Sequence, residues 1–185
     1  MKYIKLLILL FLVILDFDKS FALESLINQL KDGGKIVFIR HSNAPGSGDP
    51  NNFSIKDCST QRNLDYKGIH QSILIGNFFK QNKIPIDQVF SSEWCRCKDT
   101  ALYAFKNFKT YSSLNSFYDI RFRHNKNKQI REIKKCINEW KSNKNLILIT
   151  HYVVISELTN IGINSGEIIV IDDKFNVIGR KKNEL

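Results

Sequence analysis

Three short apolar runs that each close on a polar or basic exit limit this chain more than any other feature. Lys35 to Ile39, Gln88 to Ser91 and Leu146 to Thr150 are compact runs bounded by turn-forming or polar residues. Runs of that kind read as strands, the first and third of the fully buried type. The stretches between them carry apolar residues at helical spacing. Asp65 sits where an N-cap belongs, and Ile69, Ile73, Ile75, Phe78 and Phe79 behind it predict a helix to about Asn82. Thr100 to Phe108, Lys126 to Ser142 and Val153 to Asn160 read as further helices, and Leu23 to Leu30 as a first amphipathic stretch. Tyr111 to Leu114 reads as an edge strand. Glu167 to Asp172 and Phe175 to Arg180 read as a closing hairpin. The alternation predicts an α/β fold: a three-layer αβα sandwich on a mostly parallel central sheet, with a C-terminal antiparallel hairpin.

A chain of 185 residues with 43% apolar residues is enough for one domain with its own core, and excludes a disordered tail. No internal period marks a solenoid or propeller. Lys2 and Lys5 precede an apolar run from Leu6 to Leu15, and Ser20-Phe21-Ala22 resembles a leader cleavage site. A run of that length rises about 15 Å as a helix, half of what a bilayer core needs. The expectation is a signal peptide over 1–22 and a single domain over 23–185, periplasmic or secreted, without stable membrane insertion once cleaved. In that compartment Cys58, Cys95, Cys97 and Cys136 can pair in three ways or remain as thiols. Cys58 with Cys95 is the preferred pair, because both lie in loops that converge on the strand ends. The spacing Cys95-Arg96-Cys97 does not match a zinc site, so no metal is expected.

The net charge of +10 comes from 28 Lys and Arg against 18 Asp and Glu. Aromatic residues are not interleaved with the basic ones, so a general attraction to anions is expected and no nucleic-acid partner. The chemistry sits at the strand exits. The first run ends in Arg40-His41, the second leads into Ser92-Glu93-Trp94-Cys95-Arg96, and the third ends in His151. Open α/β sheets bind ligands outside the carboxyl ends of their strands. Parallel neighbours would therefore bring two guanidinium groups and two imidazoles to one pocket. Arginine forks suit the oxygens of a phosphoryl group, and an imidazole among arginines stays neutral and nucleophilic. His70, inside a helix, and His124, in a basic stretch, are read as structural or solvated.

The segment Ile36 to His41 resembles the signature strand of the histidine phosphatase superfamily. Leu64, Gly68 and Gln71 resemble its next motif, Ser91-Ser92 through Arg96 with Thr100-Ala101 its second arginine segment, and Ile149-Thr150-His151 its second histidine. Asp57 to Leu64, with Trp94-Cys95-Arg96, is similar to an exported bacterial branch. The resemblance spans roughly Lys35 to Gly179 and implies a phosphoglycerate-mutase-like fold, with no cofactor. It implies a phosphatase acting on a small phosphorylated substrate, with His41 as nucleophile and Arg40, Arg96 and His151 holding the phosphoryl group. It also places Arg62 and Asn43 at the pocket. Ser42 stands where the family commonly has glycine. The slot that often holds an acidic Glu reads Leu114-Asn115-Ser116, which leaves Asp119 as the nearest carboxyl for a leaving-group acid. An anion-binding module for phosphorylated envelope components is the alternative from another class. The stretches Asn43 to Asn63 and Ser116 to Lys128 are expected to cover the pocket.

Overall fold

The computed structural model describes residues 21–183, so residues 1–20 of the expected leader lie outside them. A first helix, α1, covers 21–32. Then follow β1 (Ile36–Arg40), α2 (Tyr66–Gln81), β2 (Ile86–Ser91), α3 (Cys95–Phe105) and β3 (Lys109–Thr110). The chain closes with α4 (Lys126–Glu139), β4 (Asn145–Thr150), α5 (Tyr152–Thr159), β5 (Ile168–Ile171) and β6 (Val177–Lys181). The strands make one sheet in the order β3-β2-β4-β1-β5-β6. β1, β2, β3 and β4 run parallel, and β5 runs antiparallel to both of its neighbours, β1 and β6. None of the helices among the described residues is long and apolar enough to cross a membrane.

Side-chain alternation along the strands builds two cores. Val37, Ile39, Ile147, Ile149, Ile168 and Val170 face α1, α2 and α3. Ile36, Phe38, Leu146, Leu148, Ile169 and Ile171 face α4 and α5. Because both faces are covered, β4 is buried at all of its positions, as expected for a central strand of a parallel sheet. The fold is the αβα sandwich with a C-terminal hairpin that the pattern of runs implied.

Two elements depart from the sequence reading. β3 is only Lys109–Thr110, and the expected edge strand from Tyr111 turns instead into a 3-10 turn over Ser112–Leu114. The turn drives Leu114 into the second core and gives its carbonyl to the Thr150 hydroxyl. Helix α3 begins at Cys95, five residues before the apolar pattern shows it, so Arg96 belongs to a helix and not to a loop. Its first turn is polar and cysteine-rich, which hides the helical period. The Asp65 cap is as expected, its carboxylate accepting from Gly68 N–H at 2.7 Å. Gly76 sets how closely α2 and α3 approach, since a Cβ there would lie 2.2 Å from the Ala104 carbonyl oxygen.

Asn145 locks the start of β4. It donates to the carbonyls of Leu30 and Pro85, each at 2.7 Å, and its Oδ1 accepts from Lys35 N–H at 3.2 Å. Asn145→Ala leaves Lys35 N–H without its acceptor and takes one of two donors from each of the Leu30 and Pro85 carbonyls, which keep Gly33 N–H and Asn145 N–H, at a fully buried position. The expected loss is about 3 kcal/mol, read as a lower denaturant midpoint at unchanged m-value.

Candidate active site

The parallel register brings the strand exits together. Arg40 lies opposite Thr150, and Ser91 lies opposite Ile149. One step beyond, His41 N–H donates to Thr150 O and Ser92 N–H to Ile149 O, both at 2.9 Å. Arg40, His41, Arg96 and His151 therefore line one cavity of about 220 Å³, with Arg62 and Asp49 from the long loop. The rim is closed by Tyr118, Asp119 and Phe122 from the second covering stretch.

His41 and His151 are both buried, with ring centroids 5.3 Å apart. Burial, with the Arg96 charge beside it, pushes each imidazole well below its ordinary pKa, so both are neutral. His41 Nδ1 lies 2.9 Å from the Ser42 carbonyl. A carbonyl can only accept, so Nδ1 carries the proton and Nε2 keeps its lone pair. That nitrogen is 3.3 Å from Arg96 Nε–H. Ser42 fits without a glycine because its N–H donates to Thr100 Oγ1 and its hydroxyl pairs with Ser72 Oγ, whose own proton goes to the Gly68 carbonyl.

Arg96 is held by a carboxylate that the sequence did not single out. Its Nη1 and Nη2 donate to the two oxygens of Asp49 at 2.7 and 3.1 Å. Asp49 also accepts from Arg62 N–H at 3.1 Å and from Trp94 Nε1–H at 3.0 Å. Burial alone would raise the Asp49 carboxyl, but hydrogen bonds and charge from Arg96 hold it below its usual range. Asp49 reaches Arg96 across 47 residues of chain. The only local signal was an acid inside a Gly- and Pro-rich turn cluster. Gly46 and Gly48, both at positive φ, let the loop double back to the pocket.

The other expected site residues divide. Arg40 gives Nη1 to the Ile163 carbonyl at 2.8 Å, and its buried Nε has no partner among the described residues. Arg62 lines the cavity but is bound to its own loop, donating to the carbonyls of Gly48 and Ala44. Asn43 does not line the cavity. Its N–H donates to Gln71 Oε1 and its amide to Asp65, so it braces the loop against the start of α2. Asp119 is at the rim and paired with Arg121 at 2.8 Å. His70 and His124 are exposed.

Cys58 and Cys95 form the disulfide, closing 37 residues of chain next to Arg96. Cys97 is a buried free thiol, pushed up to about 12 by burial, and Cys136 is also free. Replacing Cys58 and Cys95 by Ser removes the tie between the long loop and α3. The expected loss is about 4 kcal/mol for a loop of this length, seen as a lower thermal midpoint that reductant no longer shifts.

No family model and no curated protein matches this sequence. Solved structures do match. The protein histidine phosphatase SixA complexed with tungstate is 18% identical with a TM-score of 0.54, over 77% of this chain and 92% of that one. A phosphohistidine phosphatase SixA from Agrobacterium tumefaciens, itself a putative assignment, is 15% identical with a TM-score of 0.55, over 80% and 98%. A mycobacterial glucosyl-3-phosphoglycerate phosphatase complexed with VO3 is 11% identical with a TM-score of 0.54, over 75% and 92%. With strand order, hairpin and pocket position described above, the chain has the fold of the histidine phosphatases.

Proposed function

We propose that this chain is an exported phosphatase that hydrolyses a phosphomonoester or phosphoramidate through a phosphohistidine on His41. The observation that carries this reading is the unprotonated, buried Nε2 of His41, set 3.3 Å from Arg96 Nε in a pocket lined by three arginines. In the first step the Nε2 lone pair attacks phosphorus, the P–Nε2 bond forms, and the bond from phosphorus to the leaving oxygen or nitrogen breaks. In the second, water attacks the same phosphorus, the P–Nε2 bond breaks, and inorganic phosphate leaves. Arg40, Arg62 and Arg96 neutralise the phosphoryl oxygens without a metal ion.

Both carboxylates of the cavity, Asp49 and Asp119, are bound to arginines. A carboxylate so held is a poor proton donor, which favours leaving groups that need little help, such as an aryl oxide or the imidazole of a phosphohistidine. The fold shared with protein histidine phosphatase SixA supports the same substrate class. The tungstate and VO3 held by the neighbours support an oxyanion as the pocket's ligand.

His41→Ala is expected to abolish phosphate release from an aryl phosphate, and acid quench of the parent should trap labelled phosphate on His41. Tight phosphate binding with no trapped label would instead support the anion-binding module. Chelator should leave the rate unchanged. Because His41 is held neutral well below its ordinary value near 6.5, its protonation does not remove the nucleophile there, and the rate at saturating aryl phosphate should stay level as pH falls through that value and drop only in more acidic buffer.

An oxyanion entering the Arg96 fork must displace the Asp49 carboxylate. Asp49→Asn is therefore expected to tighten tungstate binding about tenfold, or ~1.4 kcal/mol, measured by calorimetry. Weaker binding in the variant would mean that Asp49 orients Arg96 for the anion and does not compete with it.

A further inference from the structure

The ring of His151 is engaged on one side only. Its Nε2 lies 2.9 Å from Ser92 Oγ and 3.4 Å from Cys97 Sγ. Which of these groups carries the proton follows from the hydrogen bonds behind Ser92. Glu93 N–H donates to Asn115 Oδ1 at 2.8 Å, so that atom of the amide is the oxygen. The Asn115 Nδ2 in turn donates to Glu93 Oε2 at 2.7 Å. Ser92 Oγ stands 3.0 Å from Asn115 Oδ1, which can only accept, so the single hydroxyl proton of Ser92 is spent there. Ser92 Oγ also accepts from Trp94 N–H at 3.3 Å. Toward His151 the hydroxyl can then only accept. The neutral imidazole of His151 must donate from Nε2, and its lone pair is on Nδ1.

His151 caps the start of α5 without a side-chain bond to it, so Nδ1 is not taken by the helix. His41 is held the other way, with its proton on Nδ1 and its lone pair on Nε2. The two facing imidazoles are thus set in opposite tautomers by fixed partners, a carbonyl for one and a committed hydroxyl for the other.

We propose that Asn115, acting through Ser92, is a positioning residue that holds His151 as the Nε2–H tautomer, so that Nδ1 meets the phosphoryl group as a lone pair and takes up a proton when a dianion binds. The part about the phosphoryl group rests on the function proposed above; the tautomer does not. A lone pair turned toward an anionic oxygen repels it, and a proton on Nδ1 converts that repulsion into a charge-assisted hydrogen bond. The groups around His151 that set this proton uptake are Arg40 at the end of β1 and His41 just beyond it, Arg96 and Cys97 from α3, Arg62 and Asp49 from the long loop, and Asp119 at the rim. In the empty site the arginines oppose the proton. The bound dianion offsets them.

The chain has four histidines, which makes imidazole nitrogen-15 spectra of the full protein tractable, with His151→Asn to assign the ring. In the parent, Nε2 of His151 should show a pyrrole-type shift and Nδ1 a pyridine-type shift. The reverse pattern overturns the tautomer, whatever the fate of the phosphatase reading. In Asn115→Ala the Ser92 hydroxyl is released, and the two nitrogens should move toward each other in shift as both tautomers populate. A spectrum identical to the parent's removes Asn115 from the role. Tungstate remains a dianion across neutral pH, so its affinity reports protons taken up by the protein. The parent should weaken about tenfold per pH unit for one proton taken up. Ser92→Ala and Asn115→Ala should both flatten that slope, because the Nδ1–H tautomer can donate without collecting a proton. Tungstate affinity independent of pH in the parent overturns the coupling. Absence of tungstate binding would count against the phosphoryl pocket and leave the spectral result standing.

Discussion

Parallel backbone pairing of β4 with β1 on one side and β2 on the other delivers Arg40, His41, Arg96 and His151 to one place. Arg40 faces Thr150 and Ser91 faces Ile149, so the three strands run out within a residue of one another. The chain leaves the sheet at each exit with a side chain already aimed above the edge. A slip of a single residue in either pairing would turn Arg40 or Thr150 to the opposite face. The two apolar layers resist that slip, because each strand buries alternate residues against different helices.

Above that edge the charges are arranged against one another. Three arginines converge on two imidazoles, and burial plus Arg96 keep both rings neutral. One carboxylate, Asp49, satisfies the fork of the most buried arginine. An arginine with so little access to water would otherwise be an uncompensated charge in a poorly polarisable site. Asp49 thus stands at the same guanidinium fork that an oxyanion ligand would use. The disulfide between Cys58 and Cys95 anchors the loop that carries this acid beside Arg96.

Much of this was legible along the chain. β1 and β4 announce themselves as apolar runs with β-branched residues, and Asp65 caps α2 where its position implied. Cys58 and Cys95 pair as preferred. Asn43, by contrast, was placed at the pocket by the family resemblance, yet it faces Gln71 and Asp65. Local order along a loop does not say which way a side chain turns once the loop packs on a helix. The start of α3 was hidden for a related reason: Cys95 to Asp99 offers no apolar period, and only packing makes it helical.

The sequence by itself determined the αβα class, the polarity of the sheet exits and the residue types at them, because periodicity and turn chemistry are local properties of a chain. Only the tertiary structure decided that Asp49 holds Arg96, that Asn115 is linked through the Ser92 hydroxyl to His151, and which nitrogen of each imidazole keeps its lone pair. The Asp49 and Asn115 links and the His151 tautomer depend on hydrogen-bond partners separated by 22 to 59 residues, whereas His41 takes its tautomer from the neighbouring Ser42 carbonyl once the backbone has turned it there. A donor's choice among distant acceptors is settled only when the backbone has placed them a few ångströms apart.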